Sequence, residues 1–165
     1  MRKILLPLVF IFFYFSVVAQ VKRYTETIFP SSTVTSNVVF DTAPFLAGSY
    51  GVESNTTTED LIMDIYEPTG DTSNNRAVII FAHSGGFITG NRNHDDMIAF
   101  CDSFARKGYV TATIDYRQGM YFLFNTEMHS TRAAFRGLQD GRSAVRHIRA
   151  NAVSLGIDPN QVYIA

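Results

Sequence analysis

Between Ala77 and Ala165 the chain alternates two kinds of segment, and that alternation narrows the possible folds more than any other feature. Ala77 to Ala82 (AVIIFA) is a short unbroken apolar run, the pattern of a strand covered on both faces. A helical stretch follows from Asn93 or His94 to about Lys107. Asp95 and Asp96 lie in its first turn and Arg106, Lys107 and Gly108 at its end, the charge order that a helix dipole favours. Tyr109 to Tyr116 (YVTATIDY) is rich in β-branched residues and reads as a second strand. Thr131 opens another helix whose apolar positions, Ala134, Leu138, Gly141, Val145, Ile148 and Ala152, recur at steps of four and three. Gly156 to Asn160 (GIDPN) reads as a turn and Gln161 to Ala165 as one more strand. Strand, helix, strand, helix, strand at this spacing predicts crossover connections, hence an α/β protein with a mostly parallel sheet and helices on both faces.

The segments upstream are less regular. Leu61, Met63 and Ile65 alternate with Ile62, Asp64 and Tyr66 before Pro68, which predicts a strand, and Gly70 to Asn75 is a polar turn. Residues 20–58 are rich in Ser, Thr, Asn and Val and read as an irregular segment with a short strand at Val38 to Phe40. Residues 1–19 have the layout of a secretory signal: Arg2 and Lys3, an apolar run from Ile4 to Val18, then small residues up to Ala19. The run is shorter than the ~20 residues that a spanning helix needs. The sequence is therefore divided into a signal peptide (1–19), an N-terminal segment (20–58) and part of one α/β domain (59–165). The expected location is secreted or periplasmic, with no stable membrane association after cleavage.

A composition of 46% hydrophobic and 18% charged residues is that of an ordinary globular protein. Without Arg2 and Lys3, twelve basic residues stand against fifteen acidic ones, so nothing favours a nucleic-acid partner. Arg132, Arg136, Arg142, Arg146 and Arg149 read as a solvated helix face. The single cysteine, Cys101, cannot form an internal disulfide, and with Met97, Ile98, Phe100 and Phe104 around it reads as a core residue. The four histidines fall on separate elements, so no metal site and no cofactor are expected.

The chemistry is carried by Phe81 to Phe87 (FAHSGGF), where a buried strand ends in adjacent glycines. Glycines there let backbone N–H groups approach a ligand closely, which suits a phosphate or a developing oxyanion. Gly85, Gly86 and Gly90 are followed by Asn91 and Arg92, which matches neither the dinucleotide fingerprint nor the phosphate loop. Acyl transfer is the remaining fit: N–H donors aimed at the oxygen of a tetrahedral intermediate lower the barrier by a few kcal/mol each.

His83-Ser84-Gly85-Gly86-Phe87 resembles the H-G-G-G-[FW] oxyanion loop of esterases and lipases of the α/β-hydrolase fold. Asp115-Tyr116-Arg117 is similar to the D-Y-R of the same enzymes, and Leu138 to Ala165 resembles the helix, turn and strand leading to their nucleophile. The resemblance implies the N-terminal half of an α/β-hydrolase sheet and a small-molecule ester substrate. It assigns the oxyanion donors to the N–H groups of Gly85 and Gly86. His83, Ser84, Phe87, Asp115, Tyr116 and Arg117 support the site, with Ser84 standing where the family has its first glycine and His83 shaping the loop without acting as catalytic base. Asp140 is expected to make a structural hydrogen bond, and Tyr121, Phe122 and Phe124 either line a substrate pocket or pack on the core.

The same resemblance demands a G-x-S-x-G elbow followed by an acid and a histidine, and no such motif occurs in the sequence. The expectation is an N-terminal fragment whose nucleophile, acid and base lie after Ala165. Such a chain alone is predicted to expose an apolar sheet edge and to lack triad-dependent activity. The function implied is a secreted serine hydrolase of carboxylic esters. A peptidase of the same fold and a hydrolase-fold binding protein without a nucleophile are the alternatives.

Overall fold

The computed structural model describes residues 22–46, 55–120 and 126–165. The signal-peptide reading of residues 1–19 and the pocket reading of Tyr121, Phe122 and Phe124 lie outside the described residues. The elements run β1 (Ser32–Leu46), β2 (Thr56–Pro68), β3 (Arg76–Ala82), α1 (Asp95–Ala105), β4 (Val110–Ile114), α2 (Glu127–Ala150) and β5 (Ile157–Ile164).

The five strands form one sheet in the order β1-β2-β4-β3-β5. The sheet is mixed, which corrects the expectation of a mostly parallel one. β4 and β5 pair parallel to β3, whereas β1 with β2 and β2 with β4 are antiparallel. The cause is the stretch expected to be irregular. Residues 32–46 extend into a fifteen-residue strand and fold back on β2 as a hairpin partner, with register shifts at Thr35/Val38 and Val39/Asp41. The polar, half-exposed alternation of an edge hairpin carries little hydrophobic periodicity, so only the Val38–Phe40 stretch stands out in sequence.

Helices cover both faces, as the α/β pattern requires. On one face Met63, Ile65, Val78, Ile80, Ala112 and Ile114 meet Ala144 and Ile148 of α2. On the other, Cys101 and Ala105 of α1 meet Tyr66 and Phe81. Cys101 is fully buried, and that desolvation pushes its thiol up to about 12, where it stays protonated and inert.

α2 starts at Glu127, one turn before the expected Thr131, because the Thr126 hydroxyl accepts the His129 N–H as an N-cap. Its buried face keeps the second half of the expected stripe, with Gly141 and Ile148 buried and Val145 and Ala152 packed on the core, but departs from the first half. Ala133, Arg136, Asp140, Gly141, Ser143, Ala144 and Ile148 are buried, while Leu138 is 61% exposed. Arg136 therefore departs from the solvated face assigned to the arginines. Polar residues are accommodated on the inward face where Asp140 receives the Arg117 guanidinium.

The Gly156–Asn160 turn is present as a bulge inside β5. Arg76 pairs with Ile157 and Val78 with Val162, and the Asp158 carboxylate caps the intervening residues by accepting from Asn160 N–H and the Gln161 amide. β5 lies at a sheet edge, with Tyr163 and Ile164 more than half exposed.

Candidate functional site

β3, β4 and β5 point the same way, so their C-terminal ends share one rim of the sheet. Ala82 N–H donates to Ala165 C=O at 2.8 Å and Ala165 N–H to Ile80 C=O at 2.9 Å, which sets the end of β5 beside the end of β3. Rims of this kind are where open α/β sheets bind ligands.

The chain leaves β3 at His83 into a loop of unusual backbone. Gly85, Gly86 and Phe87 all have positive φ, at 128°, 61° and 59°. The Gly85 carbonyl accepts Ile88 N–H at 3.1 Å and Thr89 N–H at 3.3 Å, closing a tight turn. Only glycine fits at its corner, since a Cβ on Gly85 would lie 1.9 Å from the Thr89 carbonyl oxygen. Phe87 tolerates the left-handed conformation because its surroundings fix it. Its carbonyl accepts from Gly119 N–H at 2.9 Å and Met120 N–H at 3.0 Å, and its ring meets Tyr116 edge-on at 5.5 Å.

Tyr116 is the pillar beneath the loop. Its ring stacks on His83 with centroids 4.3 Å apart, and its hydroxyl donates to the His83 carbonyl at 2.8 Å. Burial pushes its phenol up, so the donor stays protonated across ordinary pH. His83 is 4% exposed, and its Nδ1 lies 2.8 Å from the Ser84 carbonyl. A carbonyl only accepts, so the ring proton sits on Nδ1. This bond commits Nδ1 to the backbone, and among the described residues no hydrogen bond joins the His83 ring to the Ser84 hydroxyl. Gly90 makes room for the imidazole, since a Cβ there would lie 2.4 Å from Nδ1.

Asp115 and Arg117 flank Tyr116 and are committed to other partners. Asp115 accepts Arg92 N–H at 2.8 Å and also pairs with the Arg92 guanidinium, whose Nε lies 3.2 Å from Asp64. This anchors the far end of the glycine loop to β2 and β4. Arg117 is held by Asp140 of α2. The Asp140 carboxylate accepts the Arg117 backbone N–H at 2.7 Å, its Nε at 3.0 and 3.1 Å, and its Nη2 at 2.7 Å. Asp140 is 1% exposed, so this charge pair is buried and satisfied.

Among the described residues, the Gly85 and Gly86 N–H groups have no hydrogen-bond acceptor. Gly86 opens on a cleft of about 460 Å3 whose walls include His83, Ser84, Phe87 and Tyr116, with Ala134, Gly137 and Leu138 of α2 opposite. The structure thus brings His83, Ser84, Gly86, Phe87 and Tyr116 to one cleft, with Gly85 in the turn below, and leaves Asp115 and Arg117 outside it. Such a cleft, largely hydrocarbon with uncommitted backbone donors at its mouth, can hold an apolar group and bind an anionic oxygen.

Sequence reasoning did not single out Gly137, Gly90 or Arg92 as parts of the site. The signal for Gly137 was its place inside a helix, where glycine is disfavoured: a Cβ there would lie 2.8 Å from Phe87 Cε1. No group of three or more His, Cys, Asp or Glu able to hold a metal exists among the described residues, and no described helix is long and apolar enough to cross a membrane.

Comparison with known proteins matches this geometry to a family. A carboxylesterase 1C of Rattus norvegicus is 32% identical over 105 residues, covering 63% of this chain and 18% of the relative. A neuroligin-like protein, glit-1, of Caenorhabditis elegans is 32% identical over 108 residues, covering 63% and 14%. The structure of Thermogutta terrifontis esterase 2 phosphorylated by paraoxon superposes with a TM-score of 0.55 at 25% identity, covering 86% of this chain and 45% of that one. The chain therefore spans less than a fifth of the length of these curated relatives and less than half of the solved esterase. The family model described as BD-FAE matches residues 63–165, which include the glycine loop, its Tyr116 pillar and the strand beside them. The chain belongs to the BD-FAE family and carries an α/β-hydrolase-type fold of the esterase kind.

Proposed function

We propose that the protein is an exported serine hydrolase that cleaves carboxylic esters through an acyl-enzyme, and that this chain supplies the oxyanion-binding side of its site. The carrying observation is the pair of uncommitted N–H groups at Gly85 and Gly86, in a turn whose Gly86 lines an apolar cleft on the C-terminal rim of the sheet. In the proposed reaction a serine hydroxyl attacks the ester carbonyl while a histidine takes its proton. The carbonyl oxygen becomes anionic and is held by the two N–H groups. Collapse expels the alcohol, which receives the proton, and water then releases the acid by the same steps. The nucleophile is expected from the chain leaving β5, whose end is hydrogen-bonded to Ala82 next to His83.

A fluorophosphonate probe and para-nitrophenyl acetate test this on the full-length protein. One serine is expected to be labelled, in the turn following β5, with turnover lost in step with labelling, and residues 1–165 alone are expected to show neither. Serine-dependent turnover by that shorter chain would overturn the division of the site. A folded protein that takes no label and hydrolyses nothing would favour the binding role, and faster cleavage of peptide anilides than of esters would favour a peptidase.

Export is the second part of the proposal, resting on the basic start, the apolar run and the small residues before Gln20. The secreted or periplasmic protein is expected to begin at Gln20 by N-terminal sequencing. Recovery of the protein from the cytoplasm with Met1 in place would refute it.

A further inference from the structure

The cleft beside Gly86 holds few side-chain polar groups, and most of them are committed. The Tyr116 hydroxyl donates to the His83 carbonyl, and His83 Nδ1 faces the Ser84 carbonyl. Phe87, Ala134 and Leu138 present hydrocarbon. Ser84 differs from all of these. It is exposed on the cleft, and among the described residues its hydroxyl has no hydrogen-bond partner.

The backbone at Ser84 is also well defined. The bond from His83 Nδ1–H holds the Ser84 carbonyl, and the Gly85 turn begins at the next residue. The backbone that carries the hydroxyl is thereby fixed directly before the two residues with uncommitted N–H donors, in a cleft that otherwise offers an ester hydrocarbon contact. A ligand filling such a cleft removes water from that hydroxyl. Ligands that carry an acceptor for it are then favoured, because a covered hydroxyl without a partner is penalised.

We propose that Ser84 is a specificity-determining residue whose Oγ–H donates to an oxygen on the acyl group of the substrate, so that the site prefers esters of short oxygen-substituted acids to those of plain alkyl acids. This rests on the ester-hydrolase function proposed above. It is a binding preference, so the chemistry at the carbonyl and its proton balance are unchanged.

The test compares kcat/KM for para-nitrophenyl methoxyacetate and para-nitrophenyl butyrate in the full-length protein and its Ser84→Ala and Ser84→Thr variants. Taking the ratio of the two esters in each variant cancels their different intrinsic reactivities. The ratio is expected to fall about tenfold in Ser84→Ala and to stay within about twofold in Ser84→Thr, which keeps the hydroxyl. Thermal melting of each variant reports whether the loop still folds. An unchanged ratio in Ser84→Ala, or an equal fall for both esters, overturns the assignment of Ser84 while leaving the hydrolase function standing. A wild-type protein that hydrolyses neither ester overturns both.

Discussion

Asp140→Ala is expected to destabilise the full-length protein by about 3–5 kcal/mol, the range found when one partner of a buried ion pair is removed. The size follows from what would be left behind. Asp140 accepts from the Arg117 backbone N–H, Nε and Nη2, and both residues are buried. Without the carboxylate, Arg117 keeps only Gln139 Oε1 at 3.1 Å and a long contact of 3.4 Å to the Pro44 carbonyl. A guanidinium cannot shed its proton to escape, so the uncompensated charge must stay buried or the helix must move. Asp140→Asn keeps an acceptor oxygen and is expected to lose less. Urea unfolding followed by circular dichroism measures both, with the midpoint lower and the slope unchanged. A midpoint shift equivalent to less than about 1 kcal/mol for Asp140→Ala would mean that the pair is dispensable.

The second large effect separates two neighbouring glycines. Gly85→Ala forces a methyl to within 1.9 Å of the Thr89 carbonyl oxygen, a backbone atom with no rotamer to escape into. The turn must open, which displaces the Gly85 and Gly86 N–H groups. Ester turnover by the full-length protein is expected to fall about a hundredfold or more, the scale of losing an aligned oxyanion donor. Gly86→Ala meets nothing within 4 Å and changes only the cost of φ 61°, about 1–2 kcal/mol for a residue with a Cβ. Its fold should survive with a small drop in melting temperature and a smaller loss of rate. A fully active Gly85→Ala would remove the oxyanion role from this turn.

Part of this site is legible in the sequence because its chemistry is local. Adjacent glycines after a buried strand carry their own reason, namely close backbone approach, and Asp115-Tyr116-Arg117 at a strand end marked a second position on the same rim. The roles within that triplet were not legible. Tyr116 supports the loop through one hydroxyl and one ring face, whereas Asp115 and Arg117 point to Arg92 and Asp140. Residue order along a strand gives alternating sides but not the partners waiting on each side.

The helix α2 shows the same limit. Its helical character followed from spacing, and Gly141, Val145, Ile148 and Ala152 of the expected stripe do face the core, but Arg136 and Asp140 are buried and Leu138 is exposed. Periodicity locates a buried face by counting apolar residues, and it fails where a face is buried by small residues and ion pairs.

By itself the sequence determined the crossover layout from Ala77 onward, the strands that fill the core, the glycine turn and the esterase resemblance. Each of these rests on patterns within a few residues: period, turn chemistry and a short motif. Only the tertiary structure decided that the sheet is mixed, that residues 32–46 form its edge hairpin, that Tyr116 carries the loop, and that Gly137 admits Phe87. Those outcomes depend on contacts between residues far apart in the chain, whose pairing is set by which surfaces bury each other and leaves little local trace.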